Sequence, residues 1–146
     1  MKTTERQREK LREYLGRFLI LKRRAEEMEA RAEKLASVEA KDGAEGAPSP
    51  RVTETGKLLQ AARAEALGEL NNILALVGKL PAGDPGREVI ELRHIDGLTW
   101  DEIGQRMRYT RTPLNKFYSA ALGALLQDPE TAALVEGRTD RKKRTA

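Results

Sequence analysis

The run Gly-Leu-Thr-Trp-Asp-Glu-Ile-Gly at residues 97–104 constrains the fold more than any other part of the sequence. Gly97 favours the left-handed backbone conformation that ends a helix. Thr99 and Glu102 have the spacing of a capping box, in which each side chain accepts a hydrogen bond from the other residue's backbone N–H. The run therefore predicts the end of one helix and, directly after it, the start of another near Trp100.

Further helix boundaries flank this run. Asp84-Pro85 has the composition of an N-cap followed by a first helical residue. Gly104 falls inside the helix that begins near Trp100, where glycine costs about 1 kcal/mol relative to alanine, so it predicts the close approach of another helix. Thr110 is expected to cap a third helix with an inward face of Leu114, Phe117, Ala121 and Leu125. Two helices joined by a tight turn in this order predict a helix-turn-helix.

Ten residues of this region meet a longer pattern, Arg-x-Val-Ile-x-Leu-Arg followed by Gly-Leu-Thr-x-x-Glu-Ile: Arg87, Val89, Ile90, Leu92, Arg93, Gly97, Leu98, Thr99, Glu102 and Ile103. In this pattern, residues 84–125 resemble the fourth region of bacterial RNA polymerase sigma factors. The whole chain is similar in layout to small sigma-like transcription regulators of phages and prophages. Two residues depart from the family: Arg108 stands at a turn position often held by glycine, and Pro113 lies in the first turn of the third helix.

The first two-thirds of the chain has a different pattern. Apolar residues recur every three or four positions in residues 1–35 and again in residues 53–80, which predicts two long amphipathic helices. Gly43, Gly46, Pro48 and Pro50 indicate a flexible linker over residues 36–52. The predicted fold is all-α: a long, coiled-coil-like helical hairpin followed by a compact helix-turn-helix domain at 84–127. Whether the two helices pair within one chain or between chains stays open.

Composition excludes several kinds of function. The chain of 146 residues has no cysteine and one histidine, His94, so thiolate metal sites and cysteine nucleophiles are excluded. We expect no enzyme activity, no cofactor and no metal, because no catalytic constellation stands out. His94 is expected to be a solvated residue at a helix end. Without an apolar run long enough for a membrane span, we expect a cytoplasmic protein. The resemblance to sigma-like regulators implies the cytoplasm of a bacterial host and association with the nucleoid.

The net charge of +4 is concentrated at the C-terminus. Residues 138–146 contain five basic residues and one acidic residue, so the rest of the chain is neutral. We predict that residues 128–146 form a basic, disordered tail. Such a tail would either attract phosphates in a salt-dependent way or simply be solvated.

The helix-turn-helix predicts which side chains meet duplex DNA. Arginine and asparagine make bidentate contacts with guanine and adenine in the major groove, so the expected base contacts lie on the third helix: Arg111, Thr112 and Asn115. Hydroxyl and basic side chains around them are expected to contact phosphates: Thr99, Arg106, Thr110, Lys116 and Ser119.

Three functions are consistent with these features. The first is a sequence-specific, sigma-like transcription regulator that binds double-stranded DNA and, as the resemblance implies, RNA polymerase. The second is the small subunit of a phage packaging terminase, which also combines a helix-turn-helix with oligomerising helices. The third is a helical adaptor that binds protein. A homodimer or higher oligomer through the N-terminal helices is expected to accompany the second and is compatible with the first.

Overall fold

The fold is all-α, as predicted. The computed structural model describes residues 4–41, 46 and 48–145, with side chains described through 137, and no strand occurs among these residues. The described residues form six helices: α1 (Glu5–Lys41), α2 (Pro50–Val77), α3 (Pro85–His94), α4 (Trp100–Met107), α5 (Arg111–Gln127) and α6 (Pro129–Thr145). The chain divides into two compact units, Phe18–Leu70 and Met1–Arg17 with Asn71–Ala146.

The connection between the long helices is shorter than the sequence predicted. α1 continues beyond residue 35 to Lys41, and α2 begins at Pro50 rather than at 53. The Ser49 hydroxyl accepts a hydrogen bond from the Val52 backbone N–H at 3.2 Å, and Pro50 occupies the first helical position. A capping serine followed by proline is a favourable helix start, which explains the earlier boundary. Residues 42–45 and 47 of the predicted linker lie outside the described residues.

The unit Phe18–Leu70 is a helical hairpin closed within one chain. Near the connection, the Ser49 hydroxyl donates a hydrogen bond to the Glu39 carboxylate. Further from it, Arg63 of α2 pairs with Glu29 of α1 at 2.9 Å. This order of contacts shows that the helices are antiparallel. The residues buried along the hairpin belong to the predicted apolar stripes: Leu21, Ala25, Leu59 and Ala66.

The other unit joins the start of α1 to the C-terminal half of the chain. Its most buried side chains come from all these segments: Leu11, Leu15, Ile73, Val77, Val89, Ile90, Ile103, Leu114, Leu122 and Leu125. α3 crosses α5 at very short range, because a β-carbon on Gly86 would lie 2.5 Å from the Phe117 carbonyl oxygen and 2.7 Å from the Ala121 β-carbon. The helix-turn-helix is therefore part of a larger core than the segment 84–127 that the sequence predicted.

The prediction of a disordered tail from residue 128 does not match the start of α6. The Asp128 carboxylate accepts hydrogen bonds from the Thr131 backbone N–H at 3.2 Å and from its hydroxyl at 2.8 Å, so it caps the helix. Thr131 is 0% exposed and Val135 is 3% exposed. The first turns of α6 thus belong to the core. The side chains of the basic residues 138–144 lie outside the described part of the chain, and phosphate attraction by them stays a prediction.

Candidate nucleic-acid interface

The start of α4 has the predicted capping box. The Thr99 backbone N–H donates to the Glu102 carboxylate at 3.0 Å, and the Glu102 backbone N–H donates to the Thr99 hydroxyl at 3.2 Å. These hydrogen bonds lower the pKa of Glu102 below its ordinary value. The bond from the Thr99 backbone has the larger effect, and the Thr99 side chain has the smaller one. Ile103, which follows Glu102 in the first turn of α4, is fully buried. α4 is thereby held at its N-terminus by local interactions that the sequence alone specifies.

The turn between α4 and α5 is tight. Arg108 has φ 62° and ψ 44°, the left-handed conformation that glycine adopts more easily. The Tyr109 backbone N–H donates to the Gly104 carbonyl at 3.0 Å. A β-carbon on Gly104 would lie 2.8 Å from the Tyr109 carbonyl oxygen and 3.5 Å from the Leu114 side chain. Gly104 therefore marks a close approach, as predicted. The segment that approaches it is the backbone of the turn and not a crossing helix.

The inward face of α5 differs from the prediction at one residue. Leu114, Ala121 and Leu125 are buried as expected. Phe117 is only half-buried and meets the exposed Tyr109 ring edge-on, with ring centroids 5.0 Å apart. The buried aromatic residue is instead Tyr118, at 7% exposure. The reason is tertiary, since α3 supplies a hydrogen-bond partner for the Tyr118 hydroxyl.

That partner is His94, for which the expectation of a solvated histidine was wrong. His94 Nε2 lies 2.7 Å from the Tyr118 hydroxyl, and the rings meet edge-on with centroids 5.7 Å apart. Burial, with a smaller effect from the Arg93 charge, lowers the pKa of His94 to about 4. Burial raises the pKa of Tyr118 to about 12. At neutral pH the histidine is therefore neutral, and its Nε2 shares one hydrogen bond with the Tyr118 hydroxyl.

All eight predicted site residues are exposed. Four of them lie along one face of α5, at positions separated by about one turn: Thr112, Asn115, Lys116 and Ser119. Ser119 is already engaged, because Arg8 of α1 donates to its carbonyl oxygen at 2.9 Å and to its hydroxyl at 3.0 Å. Arg8 thus lies beside the polar face of α5, a placement that no sequence pattern indicated.

The other predicted site residues lie at helix ends. Thr99 precedes α4 and Arg106 is in its last turn, so about 10 Å of helix separates them. The Thr99 hydroxyl accepts the capping hydrogen bond and keeps its own proton available for donation. Thr110 has the extended backbone of an N-cap, but its side chain makes no capping hydrogen bond.

Arg111 lies at the edge of the polar face rather than at its centre. It precedes Tyr118 by seven residues and so shares that side of α5. Its guanidinium carbon lies 5.0 Å from the centroid of the Trp100 ring. Between α4 and the start of α5 is an open cleft of about 620 Å³, with Gly104 and Leu114 among its lining residues and Arg108 and Arg111 beside them.

The charge of this region differs from that of the chain as a whole. Residues 97–127 contain four basic side chains and two acidic ones, Asp101 and Glu102. Both acidic residues are in the first turn of α4, whereas basic residues lie in its last turn and on the first turns of α5. The turn and the start of α5 are therefore positive although the chain without its C-terminal residues is neutral.

Comparison with known proteins identifies no relative: no family model, curated protein or solved structure matches the chain. Within the described residues, no helix is both long and apolar enough to cross a membrane. The same residues contain no group of three or more histidine, cysteine or acidic side chains suited to a metal ion. The assignment of function therefore depends on the geometry of α4 and α5 and on the chemistry of their exposed side chains.

Proposed function

We propose that this protein is a sequence-specific, double-stranded DNA-binding protein that acts as a sigma-like transcription regulator. In this proposal α5 enters the major groove, where Arg111, Thr112 and Asn115 contact base edges. The protein acts by binding and carries out no chemical reaction. RNA polymerase is the protein partner that the sigma-like pattern implies.

The observation that carries the proposal is the arrangement of α4, its left-handed turn and α5. The turn backbone packs directly on Gly104, so α5 begins close to α4 and leaves its polar face uncovered. A second helix held in this way is what a helix-turn-helix uses to reach base edges, with residues near its N-terminus. Arg111 and Thr112 are the first two residues of α5, and Asn115 follows one turn later.

Charge supports the same orientation. The positive side chains at the turn and on the first turns of α5 face the groove edges in this docking, and Lys116 and Arg106 are suited to phosphate contacts. Ser119 is proposed to reach a phosphate together with its partner Arg8, which adds a positive charge at that end of the face. Thr99 and Thr110 contribute hydroxyl donors at the N-termini of α4 and α5.

The proposal is tested by selecting binding sites from a pool of random duplexes with the full-length protein. We expect one enriched sequence, with Arg111→Ala and Asn115→Ala each losing about 1–3 kcal/mol of discrimination at one base pair. Lys116→Ala is expected to weaken binding to all duplexes alike and to lower the salt slope by about one. Arg24→Ala and Asn72→Ala, at exposed positions of α1 and α2, are the matched controls and should bind as the wild type does.

Two other outcomes decide against the proposal. A pool without any enriched sequence removes sequence-specific recognition, and failure to bind any duplex at low salt favours the protein-binding adaptor. The mass of the protein in solution, measured by light scattering, separates the regulator from the packaging protein. A monomer or dimer fits a regulator, whereas a ring-sized oligomer with DNA binding favours a terminase small subunit.

A further inference from the structure

Trp100 lies at the centre of a group of aromatic and cationic side chains that belong to α3, α4 and α5. It is the only tryptophan of the chain and the first residue of α4. Its ring stacks on Tyr118 of α5, with centroids 5.2 Å apart and planes at 30°. Tyr118 is buried and hydrogen-bonded to His94 of α3. The indole ring is therefore held by α5 directly and by α3 through the hydrogen bond between Tyr118 and His94.

Two arginines lie against this ring. The guanidinium carbon of Arg93 is 5.4 Å from the Trp100 centroid, and that of Arg111 is 5.0 Å from it. Arg93 also donates a hydrogen bond from Nη1 to the Leu98 carbonyl oxygen at 2.9 Å. Arg111 belongs to the exposed first turn of α5. The exposed Arg111 side chain thus places its guanidinium against the Trp100 ring.

A guanidinium over an aromatic ring is held through its face, which leaves its N–H edges available as donors. These edges are the groups that make two parallel hydrogen bonds with guanine O6 and N7. Arg111 lies at the edge of the polar face of α5, so without a support its long side chain would sample many rotamers. Ordering such a side chain on binding costs affinity, and a contact already present in the free protein reduces that cost.

We infer that Trp100 is a positioning residue that holds the Arg111 guanidinium ready to read a guanine. The inference rests on the proposed function, since Arg111 must be a base-reading residue for its position to matter. It adds a specificity-determining role for a residue that need not touch DNA. Tyr118 and His94 serve the same role one and two contacts further away, by holding the indole ring.

The first test needs no DNA. Quenching of Trp100 fluorescence by acrylamide reports how far the indole ring is covered, and no other tryptophan contributes. Arg111→Ala is expected to raise the quenching constant in the free protein, because the guanidinium no longer covers the ring. Arg24→Ala, which removes an exposed arginine of α1, is the control and should leave quenching unchanged. Equal quenching in wild type and Arg111→Ala overturns the inference regardless of any DNA result.

The second test measures discrimination at the base pair where Arg111→Ala loses its preference. Trp100→Leu is expected to reduce this discrimination about two- to tenfold, the range expected for ordering one long side chain. Trp100→Phe keeps an aromatic face and should stay within about twofold of the wild type. Combined with Arg111→Ala, Trp100→Leu should cause no further loss of discrimination, because the side chain that it positions is gone.

The outcomes separate this inference from the proposed function. A wild-type protein that selects no sequence overturns both. A wild-type protein that selects a sequence, while Trp100→Leu weakens all duplexes equally, leaves the proposed function standing and overturns the positioning role. An equal loss from Trp100→Leu in the wild-type and Arg111→Ala backgrounds does the same, since it shows a general effect on the fold. If Trp100→Leu does not fold, the acrylamide comparison of wild type and Arg111→Ala decides the inference, because it needs no change at Trp100.

Discussion

The half-buried His94 and the buried Tyr118 are hydrogen-bonded at the edge of the core that contains the helix-turn-helix. Their hydrogen bond of 2.7 Å joins α3 to α5. Protonation of the imidazole would place a positive charge in this partly buried site, and burial disfavours the charged form. The single histidine of the chain therefore couples the stability of this unit to pH in a range where few other groups titrate.

We predict that the free energy of unfolding falls as the pH drops from 6.5 towards 4. The folded-state pKa of His94 is about 4 and the ordinary value is 6.5, so in this window the unfolded state binds the additional proton. Protonation then favours unfolding, with a slope of up to about 1.4 kcal/mol per pH unit. Urea titrations followed by Trp100 fluorescence measure this slope.

His94→Gln is the control for that measurement, because glutamine keeps an acceptor for the Tyr118 hydroxyl and does not titrate. Its unfolding free energy should vary little between pH 6.5 and 5. Glu102 and Asp128 have pKa values below their ordinary ones. Their protonation therefore reduces the free energy of unfolding only at a pH below this window. An equal slope in wild type and His94→Gln between pH 6.5 and 5 would assign the effect to other groups.

At the scale of elements, packing excludes a side chain at one helical glycine and leaves room for one at another. A β-carbon on Gly104 of α4 meets the Tyr109 carbonyl oxygen at 2.8 Å, closer than real β-carbon contacts allow. A β-carbon on Gly68 of α2 meets nothing within 4 Å. The carbonyl belongs to a short, left-handed turn whose backbone has little freedom to move. The first glycine is therefore required by packing, whereas the second only lowers helix propensity.

Gly104→Ala is expected to destabilise the protein by about 1–3 kcal/mol, the usual cost of overpacking. It should also weaken the proposed binding to DNA, because the turn must shift and α5 shifts with it. Gly68→Ala is the matched control and should stabilise α2 by up to about 1 kcal/mol. Thermal melting followed by far-ultraviolet circular dichroism measures both variants. A Gly104→Ala protein as stable as the wild type would show that the turn accommodates a methyl group.

The sequence predicts best those elements whose ends are specified by nearby residues. The capping box of Thr99 and Glu102, the N-cap at Asp84 and the left-handed Gly97 all depend on residues a few positions apart, and each forms as predicted. The His94–Tyr118 pair and the Trp100–Arg111 contact depend on how α3, α4 and α5 cross. No local pattern encodes that crossing, so His94 was wrongly predicted to be solvated and the contacts of Trp100 were not predicted.

At the scale of the whole molecule, the start of α1 belongs to the compact unit that contains the helix-turn-helix. Leu11 and Leu15 are fully buried, and Lys10 pairs with Glu136 of α6 at 2.8 Å. Residues at opposite ends of the sequence thus complete one core. Periodicity correctly predicted a helix at the N-terminus, but it gave no information on which distant segment this helix would contact.

Leu11→Ala therefore tests whether the helix-turn-helix depends on a residue far from it in sequence. Removing a fully buried leucine side chain should cost about 2–5 kcal/mol, and the loss should appear in the Trp100 fluorescence transition. Leu74→Ala is the matched control, because Leu74 lies in the same unit and is 48% exposed, and we expect a change within about 0.5 kcal/mol. If Leu11→Ala leaves the Trp100 transition unchanged, the helix-turn-helix folds independently of α1. If the transition shifts as expected, a fragment limited to residues 84–127 lacks part of its own core and should not bind duplexes as the full chain is proposed to do.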